Sequence, residues 1–160
     1  MKEKILLVDD DRDILEFLSY NLKKEEYIIS TAKNGIAAIE KVKKEKPDLI
    51  IMDLMMPGIN GIEACKKIRK NPDNKDIIIA FLTARNEDIS QIKALESGGD
   101  DYITKPIKPK ILISKIKSLL RRNNIKQPKQ NNKIKIKDII IDKKKYIITK
   151  NNKEIELPKK

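Results

Sequence analysis

The sequence predicts an α/β protein, in which a doubly wound, five-stranded parallel sheet of about 120 residues precedes a small antiparallel β-meander. Three observations lead to this fold class. Apolar runs of strand length alternate with segments whose apolar residues recur at helical spacing. The strand-length runs are continuously apolar, as expected of parallel strands that helices cover on both faces. After residue 122 this alternation ends, and short alternating runs separated by turn residues follow.

Five strands are predicted in the first part of the chain, each a short apolar run. Their predicted bounds are Ile5–Val8, Tyr27–Ser30, Asp48–Met52, Ile77–Leu82 and Tyr102–Thr104. A helix follows each strand, because apolar residues recur there every three or four positions. The residues that mark one face of these helices are, in order, Leu15, Leu18 and Leu22; Ile36, Ile39 and Val42; Ile62, Cys65 and Ile68; Ile89, Ile92 and Leu95; and Ile113, Ile116 and Leu119. Pro47 and Gly98 end two of them, and the last helix is predicted to end near Arg122.

The meander is predicted from short apolar runs between residues 133 and 160. Ile139–Ile141 and Tyr146–Ile148 are two of these runs, and Lys143–Lys145 lies between them as a turn. Residues 123–132 are rich in Asn, Gln and Lys and contain Ile125 as their only large apolar residue, so they are predicted to be a linker. The predicted organisation is therefore a domain over 1–122, a linker over 123–132 and an incomplete β-subdomain over 133–160.

Charge is distributed unevenly between these parts. The 160 residues contain 36 Lys and Arg against 24 Asp and Glu, a net charge of +12, of which +10 lies in residues 121–160. A basic segment of this kind is expected to give weak, salt-sensitive attraction to nucleic acid. The chain has no histidine and a single cysteine, which excludes histidine-dependent triads, histidine-ligated zinc hydrolases and disulfide scaffolds.

No segment of the sequence is predicted to cross a membrane. The longest uncharged apolar stretch, Ile77–Leu82, has six residues, and a spanning helix needs roughly 20. The apolar run Ile5–Val8 near the N-terminus is too short for the core of a signal peptide. We therefore expect a cytoplasmic protein without a membrane partner.

Acidic residues follow the first and third predicted strands. Asp9 and Asp10 come directly after the first strand, and Asp53 comes directly after the third. Because ligands bind at the carboxyl ends of the strands in open parallel sheets, these side chains are expected to converge there. Converging carboxylates repel one another unless a cation compensates, and a few carboxylate oxygens suit Mg²⁺. The alternative is that each aspartate only caps the helix or turn that follows, and for a single aspartate that alternative is the better one.

Thr83 and Lys105 follow the fourth and fifth predicted strands and are expected at the same edge of the sheet. A lysine there can pair with a carboxylate, and a threonine hydroxyl can donate a hydrogen bond to the same oxygens. Taken alone, Lys105 before Pro106 is typical of a solvated loop, and a β-branched residue at a strand end needs no function. Tyr102, in the fifth strand, is either a half-buried edge residue or a moving part.

Four motifs carry a resemblance to a known family. They are, in chain order, Val8-Asp9-Asp10-Asp11, the segment Asp48–Gly58, Leu82-Thr83-Ala84 and the segment Gly98–Pro106. With these motifs in this order, residues 1–122 resemble the receiver domain of bacterial two-component response regulators. The resemblance implies a flavodoxin-like parallel sheet with the strand order 2-1-3-4-5. It also implies a signalling domain that is not an enzyme and assists only its own phosphorylation and dephosphorylation.

The resemblance implies a role for each residue at the predicted sheet edge. Asp53 would accept a phosphoryl group from the phosphohistidine of a sensor histidine kinase. Lys105 and Thr83 would engage the phosphoryl oxygens, and Tyr102 would move inward as Thr83 moves. The implied Mg²⁺ ligands are Asp9, Asp10, Asp53 and the backbone carbonyl of Met55. An aspartyl-phosphate enzyme of the haloacid dehalogenase type fits less well, because it normally needs a second acid two residues beyond the nucleophile, where Met55 stands.

Beyond the receiver, the chain is similar to the OmpR/PhoB subfamily, in which a winged-helix DNA-binding domain opens with a four-stranded antiparallel sheet. Ile134–Leu157 corresponds to that opening sheet, and DNA binding is expected only if the winged helix is completed beyond Lys160. The subfamily dimerises through its fourth helix, fifth strand and fifth helix. Asp101 and Lys115 would supply a charged pair there, and we expect a weak homodimer on phosphorylation. The open alternative is a receiver that acts by protein contact alone.

Overall fold

The computed structural model describes residues 2–84, 88–126, 133–136, 139–142, 147–150 and 153–156. A five-stranded parallel sheet forms its first part, with the strand order β2-β1-β3-β4-β5. The strands are β1 (Lys4–Val8), β2 (Ile28–Ala32), β3 (Leu49–Asp53), β4 (Ile78–Ala84) and β5 (Asp101–Lys105). The predicted α/β class, the parallel pairing and the strand order are therefore confirmed.

Helices cover both faces of this sheet. They are α1 (Arg12–Lys23), α2 (Gly35–Glu45), α3 (Gly61–Arg69), α4 (Asp88–Glu96) and α5 (Pro109–Lys126). The buried side chains form two clusters, one on the face of α2, α3 and α4 and the other on the face of α1 and α5. The strands β1, β3 and β4 supply residues to both clusters, which is why their sequences are continuously apolar. Among the described residues, no helix is long and apolar enough to cross a membrane.

Polar side chains define where three of the helices begin. Asp11, Asn34 and Asn60 precede α1, α2 and α3, and the side chain of each accepts a hydrogen bond from a backbone N–H of its helix. Asp11 is therefore a helix cap. Asp9 and Asp53 do not occupy cap positions, so their placement needs another explanation.

The register brings the ends of neighbouring strands together at one edge of the sheet. Val8 of β1 lies opposite Met52 of β3, and Asp53 lies opposite Leu82 of β4. β4 continues to Ala84, beyond its predicted end, because its last residues also pair with β5. The residues that follow β1 and those that end β3, β4 and β5 thus share the carboxyl edge.

A polar cluster ties the elements together at the opposite, amino-terminal edge, and the sequence analysis does not predict it. The Arg69 guanidinium donates hydrogen bonds to the carbonyls of Gly98 and Asn74 at 2.9 and 2.8 Å, and it pairs with Asp100 at 3.0 Å. Asp100 also accepts a hydrogen bond from the N–H of Ile79 at 2.9 Å. These bonds join the end of α3 to the start of β4 and to the loop before β5.

The last helix is longer than the sequence predicts. α5 runs to Lys126, so the predicted end near Arg122 is wrong, and residues 123–126 of the predicted linker are helical. The side-chain amide of Asn123 donates to the carbonyl of Asp76 at 2.9 Å. This long-range contact supports the extra turn, and composition alone does not reveal it.

Four short strands follow α5 and form a separate antiparallel sheet in the order β6-β7-β8-β9. They are β6 (Lys133–Ile136), β7 (Ile139–Asp142), β8 (Ile147–Lys150) and β9 (Lys153–Glu156). Tyr146, Leu157 and the predicted turn Lys143–Lys145 lie outside the described residues. The chain divides into two compact units, Met1–Asn123 and Asn124–Lys160, and the identity predicted for the second unit stays a prediction.

Candidate functional site

Three carboxylates converge at the carboxyl edge of the sheet. Asp9 and Asp10 follow β1, and Asp53 ends the neighbouring strand β3. One oxygen of each side chain lies within 4.8 Å of the others. Asp9 is 1% exposed and Asp53 7%, whereas Asp10 is exposed to solvent. The cluster therefore has two buried members and a third at its mouth.

Lys105 brings a cation to the two buried carboxylates. It ends β5, and its Nζ lies 3.5 Å from Asp53 Oδ1 and 3.7 Å from Asp9 Oδ2. The lysine side chain is itself partly buried, so solvent screens these pairs less than it would on an open surface. One ammonium facing three carboxylates leaves an excess of negative charge, which favours a further cation.

Burial raises the pKa of both Asp9 and Asp53, because an ionised carboxylate loses hydration inside the protein. The N–H of Asp11, which donates to Asp9 Oδ1 at 2.9 Å, opposes the rise in pKa at Asp9. Lys105 opposes the rise in pKa at Asp53. Within the described part of the chain, Asp9 Oδ2 is a buried oxygen with no hydrogen-bond partner. Lys105 Nζ, 3.7 Å away, is too far for a hydrogen bond to this oxygen, and a buried oxygen without a hydrogen bond costs stability unless a closer partner binds it.

The donor set of this cluster fits Mg²⁺. Its three side-chain ligands are carboxylates, which are hard oxygen donors, and the exposure of Asp10 leaves room for the waters that Mg²⁺ retains. The unsatisfied Oδ2 of Asp9 would gain the partner that it lacks. Met55, whose carbonyl the sequence resemblance adds to the ligands, lies two residues beyond Asp53, and its side chain is 71% exposed.

A glycine allows the chain to pass close beneath Asp53. The Leu54 N–H donates to the Leu82 carbonyl at 3.2 Å, and the Gly61 N–H donates to the Leu54 carbonyl at 3.0 Å. A Cβ atom at Gly61 would lie 2.4 Å from the carbonyl oxygen of Asp53, closer than non-bonded atoms approach. Gly61 is not among the residues predicted for the site. The signal that could have found it is Asn60-Gly61 before an apolar helical run, a cap followed by a small first residue.

Thr83 and Tyr102 lie on the two strands beyond the carboxylates. Thr83 is 1% exposed, and its hydroxyl donates to the carbonyl of Ala84 at 3.1 Å. Tyr102 is half-buried and packs against the cluster that contains Phe81, the residue opposite it in β4. Thr83 therefore shares the carboxyl edge while its hydroxyl is engaged elsewhere, and the movement of Tyr102 stays a prediction.

Asp101 and Lys115, expected at a dimer contact, are paired within one chain. Lys115 Nζ lies 3.6 Å from Asp101 Oδ1 and donates a hydrogen bond to the carbonyl of Tyr102 at 2.8 Å. The same ammonium lies 5.4 Å from the centre of the Tyr102 ring. A contact of this pair with a second chain would therefore have to replace bonds that already exist.

The comparisons with known proteins agree on one family. Residues 5–117 match the family described as the response regulator receiver domain. A two-component response regulator from Clostridium difficile is 39% identical, with a TM-score of 0.72 over 77% of this chain and 99% of that chain. The signal receiver domain of a signal transduction histidine kinase from Syntrophus aciditrophicus is 32% identical, with a TM-score of 0.71 over 84% of this chain and 98% of that chain. The chemotaxis protein CheY4 of Vibrio cholerae is 28% identical, with a TM-score of 0.71 over 74% of this chain and 99% of that chain.

Proposed function

The chain belongs to the response regulator receiver domain family, and on that premise we propose that Asp53 is the residue that accepts the phosphoryl group. Receiver domains act in the phosphorylation-based signalling of two-component systems, where the partner is a sensor histidine kinase. The chemistry of that signal then takes place at the carboxyl edge of the sheet.

One arrangement supports this assignment over the other two aspartates: Asp53 combines access with a neighbouring cation. Lys105 Nζ lies 3.5 Å from Asp53 Oδ1, and the Asp53 side chain keeps 10% exposure. Asp9 is almost fully buried, and one of its oxygens is bonded to the N–H of Asp11. Asp10 is exposed and has no ion pair with Lys105 within 4.0 Å in the described structure. Asp53 is therefore the carboxylate that combines partial exposure with a fixed positive charge 3.5 Å away.

In the proposed reaction, a carboxylate oxygen of Asp53 attacks the phosphorus atom of a phosphohistidine on the kinase. The phosphorus–nitrogen bond breaks as the acyl phosphate bond forms, and the imidazole stays with the kinase. Side chains have little covalent work to do in phosphoryl transfer, so the protein contributes position and charge neutralisation. Lys105 supplies a fixed cation for the phosphoryl oxygens beside the acceptor.

Asp9, Asp10 and Asp53 would hold Mg²⁺, together with the backbone carbonyl of Met55. When bound, the ion supplies positive charge to the phosphoryl oxygens and orients them. The approach of the three carboxylates to within 4.8 Å supports this role. The buried oxygen of Asp9 that has no hydrogen-bond partner supports it independently.

Thr83 and Tyr102 are proposed to carry the signal from the acceptor to the surface. For the Thr83 hydroxyl to bond a phosphoryl oxygen, it must leave the carbonyl of Ala84. Phosphorylation replaces the single negative charge of the Asp53 carboxylate by a phosphoryl group of roughly −1.5 to −2 charges. The net gain of up to about one negative charge, on a group with three more oxygens, is enough to bias such a rearrangement. Tyr102 lies on the adjacent strand and follows the change, which alters the face formed by α4, β5 and α5 and favours a homodimer.

The second part of the proposal concerns the residues after 123. We infer that β6–β9 belong to the opening sheet of an OmpR/PhoB-like winged-helix domain, so that the receiver controls transcription. Four antiparallel strands in chain order and the net charge of +10 in residues 121–160 support this inference. Signalling by protein contact alone is the alternative. The gene sequence beyond the Lys160 codon distinguishes the two. A winged-helix pattern there supports DNA binding, and an unrelated pattern contradicts it.

Labelling with acetyl phosphate tests the acceptor assignment without a kinase. With Mg²⁺, the wild-type protein should gain one phosphoryl group in its intact mass, and Asp53→Asn should gain none. Asp76→Asn removes an exposed aspartate at the other edge of the sheet and serves as the matched control, which should label like the wild type. Equal labelling of Asp53→Asn would overturn the assignment, and full labelling after Mg²⁺ is chelated would contradict the metal site.

A further inference from the structure

The sheet has a free edge along β5. This strand pairs with β4 on one side, and among the described residues no strand pairs with its other side. An unpaired strand edge presents backbone N–H and carbonyl groups to which another strand can bind. Some residues of β5 direct these groups toward β4, and the others direct them to the free edge.

The pairing of β4 shows which of its residues face β5. The carbonyl of Leu82 accepts a hydrogen bond from the N–H of Leu54, which follows β3, so Leu82 directs its backbone groups toward β3. Successive residues of a strand direct these groups to alternate sides. Phe81 and Thr83 therefore direct theirs toward β5.

The register then identifies the outward residues of β5. Phe81 lies opposite Tyr102, and Thr83 lies opposite Thr104. In a parallel ladder, a residue bonds to the two neighbours of the residue that it lies opposite. The backbone groups of Phe81 and Thr83 therefore bond to the residues on either side of Tyr102 and Thr104 in β5. The N–H and carbonyl groups of Tyr102 and Thr104 consequently point to the free edge.

Two side chains form hydrogen bonds with the N–H and carbonyl groups that Tyr102 directs to the free edge. Lys115 donates from Nζ to the Tyr102 carbonyl at 2.8 Å, and the Tyr102 N–H donates to Asp101 Oδ1 at 2.8 Å. The two side chains also form an ion pair, because Lys115 Nζ lies 3.6 Å from the same Asp101 oxygen. Contact of the ammonium with the Tyr102 ring, 5.4 Å from its centre, adds a further attraction.

We propose that Asp101 and Lys115 form an edge cap, which keeps β5 from pairing with β5 of a second copy of this chain. Charged side chains at a strand edge, and a helix that covers the edge, are among the ways in which proteins block such pairing, and here Lys115 reaches the edge of β5 from α5. The edge cap replaces a pairing strand at Tyr102, because it supplies one donor and one acceptor to the same residue.

A second copy is the occupant that fits this edge, because the edge is self-complementary. Two β5 strands related by a two-fold axis at Ile103 would place Tyr102 opposite Thr104 of the second copy, and the outward groups of both residues would be paired. Ile111 of α5 is 59% exposed and lines one groove with Thr104 and Lys115. Pairing at the edge would therefore also cover apolar surface.

The edge cap acts in the unphosphorylated chain and does not rest on Asp53 as the acceptor. It gives Asp101 and Lys115 a role within one chain, where the resemblance implies a contact between two. Its test therefore uses the 160-residue protein without a phosphoryl donor, so that failure of the acceptor assignment leaves the test intact.

The experiment compares Lys115→Met and Asp101→Ala with the wild type by analytical ultracentrifugation and by amide hydrogen exchange. Lys67→Met is the matched control, because Lys67 is an exposed lysine of another helix, α3. We expect Lys115→Met to self-associate at least about tenfold more tightly than the wild type, the equivalent of one lost hydrogen bond. At low concentration, Asp101→Ala should exchange the Tyr102 amide about tenfold faster, since its acceptor is gone. At high concentration, the Tyr102 and Thr104 amides of both variants should become protected.

Several results would overturn the edge cap. Both variants could remain as monomeric as the wild type, or they could associate without slower exchange at Tyr102 and Thr104. Equal association of Lys67→Met would reveal a general effect of charge and would also overturn it. Circular dichroism shows whether each variant is folded. If Lys115→Met does not fold, ultracentrifugation and hydrogen exchange of Asp101→Ala test the edge cap.

Discussion

Asp9 is an aspartate in surroundings that disfavour its ionised form. It is 1% exposed, and its Oδ2 has no hydrogen-bond partner among the described residues. Burial raises its pKa, so the folded chain keeps a proton on Asp9 at pH values where the unfolded chain has lost it. The contribution of Asp9 to stability is therefore full below the pKa of the unfolded state and is lost as the pH rises through the higher pKa of the folded state. At neutral pH without a cation, ionised Asp9 destabilises the fold.

Asp9→Asn should therefore stabilise the metal-free protein at pH 7, by on the order of 1 kcal/mol, because it removes a buried negative charge whose Oδ2 has no hydrogen bond and which lies beside Asp53 and Asp10. The difference from the wild type should shrink as the pH falls below the folded-state pKa of Asp9. Mg²⁺ should stabilise the wild type more than the variant, since it binds only the native state with its ligands complete. Urea unfolding with and without Mg²⁺ measures both effects, and a variant less stable than the wild type without Mg²⁺ would contradict this account.

Among the secondary-structure elements, the segment from β3 to α3 determines where Asp53 lies. It leaves the strand at Leu54, which is bonded to β4, and enters the helix at Gly61, which is bonded back to Leu54. The backbone of Asp53 and the first residue of α3 are packed so closely that no side chain fits between them. The position of the proposed acceptor therefore depends on a contact between backbone segments as much as on its own strand.

Gly61→Ala should weaken Mg²⁺ binding, because its methyl group must displace the Asp53 carbonyl, which lies 2.4 Å from the Cβ position. We expect a loss of about tenfold in affinity, as for other changes behind metal ligands, and destabilisation of about 1–3 kcal/mol from overpacking. Gly58→Ala is the control: Gly58 has a φ of +78° with open space around its Cβ position, so it should lose about 1–2 kcal/mol of stability and keep its Mg²⁺ affinity. Equal Mg²⁺ affinities of the two variants, measured by calorimetry, would contradict the role given to Gly61.

At the scale of the whole molecule, the charge of +12 belongs mainly to one part of the chain. Residues 121–160 carry +10, whereas the remaining residues carry +2, and three of their aspartates, Asp9, Asp10 and Asp53, meet at the carboxyl edge of the sheet. The chain divides into two compact units near the same point. We therefore expect the receiver to respond to cations and phosphoryl groups, and any attraction to DNA is expected from the basic segment.

Phosphorylation should convert the protein to a weak homodimer. We expect beryllofluoride with Mg²⁺, which imitates the phosphoryl group, to raise the weight-average mass in sedimentation at high concentration. Asp53→Asn should stay unchanged under the same conditions, because it lacks the acceptor. A strictly monomeric wild type with beryllofluoride would contradict this prediction, which is independent of the association expected when the edge cap is removed.

The parallel sheet and the main members of the site could be predicted because they depend on short-range patterns, whereas the strand order is implied by the resemblance to receiver domains. Continuously apolar runs identify the strands, and parallel strands bring their carboxyl ends to one edge. The residues that follow β1 and those at the ends of β3 and β5 must therefore meet, which places Asp9, Asp53 and Lys105 together without knowledge of any contact.

The features that could not be predicted depend on contacts between residues far apart in the chain. Arg69 binds the carbonyl of Gly98, and Asn123 binds that of Asp76, so neither the cluster at the amino-terminal edge nor the length of α5 follows from local composition. Lys115 is paired within its own chain for the same reason. A charge pattern shows which residues can pair and leaves open whether they do so within a chain or between chains.

Chemical trapping locates the phosphoryl group on a single residue and so tests whether Asp53 carries it. The protein is labelled with acetyl phosphate and Mg²⁺ and then reduced with borohydride, which converts an aspartyl phosphate to homoserine, and the modified residue is located by peptide mass spectrometry. We predict homoserine at position 53 and at no other aspartate. Homoserine at position 9 or 10 with none at position 53 would contradict the account.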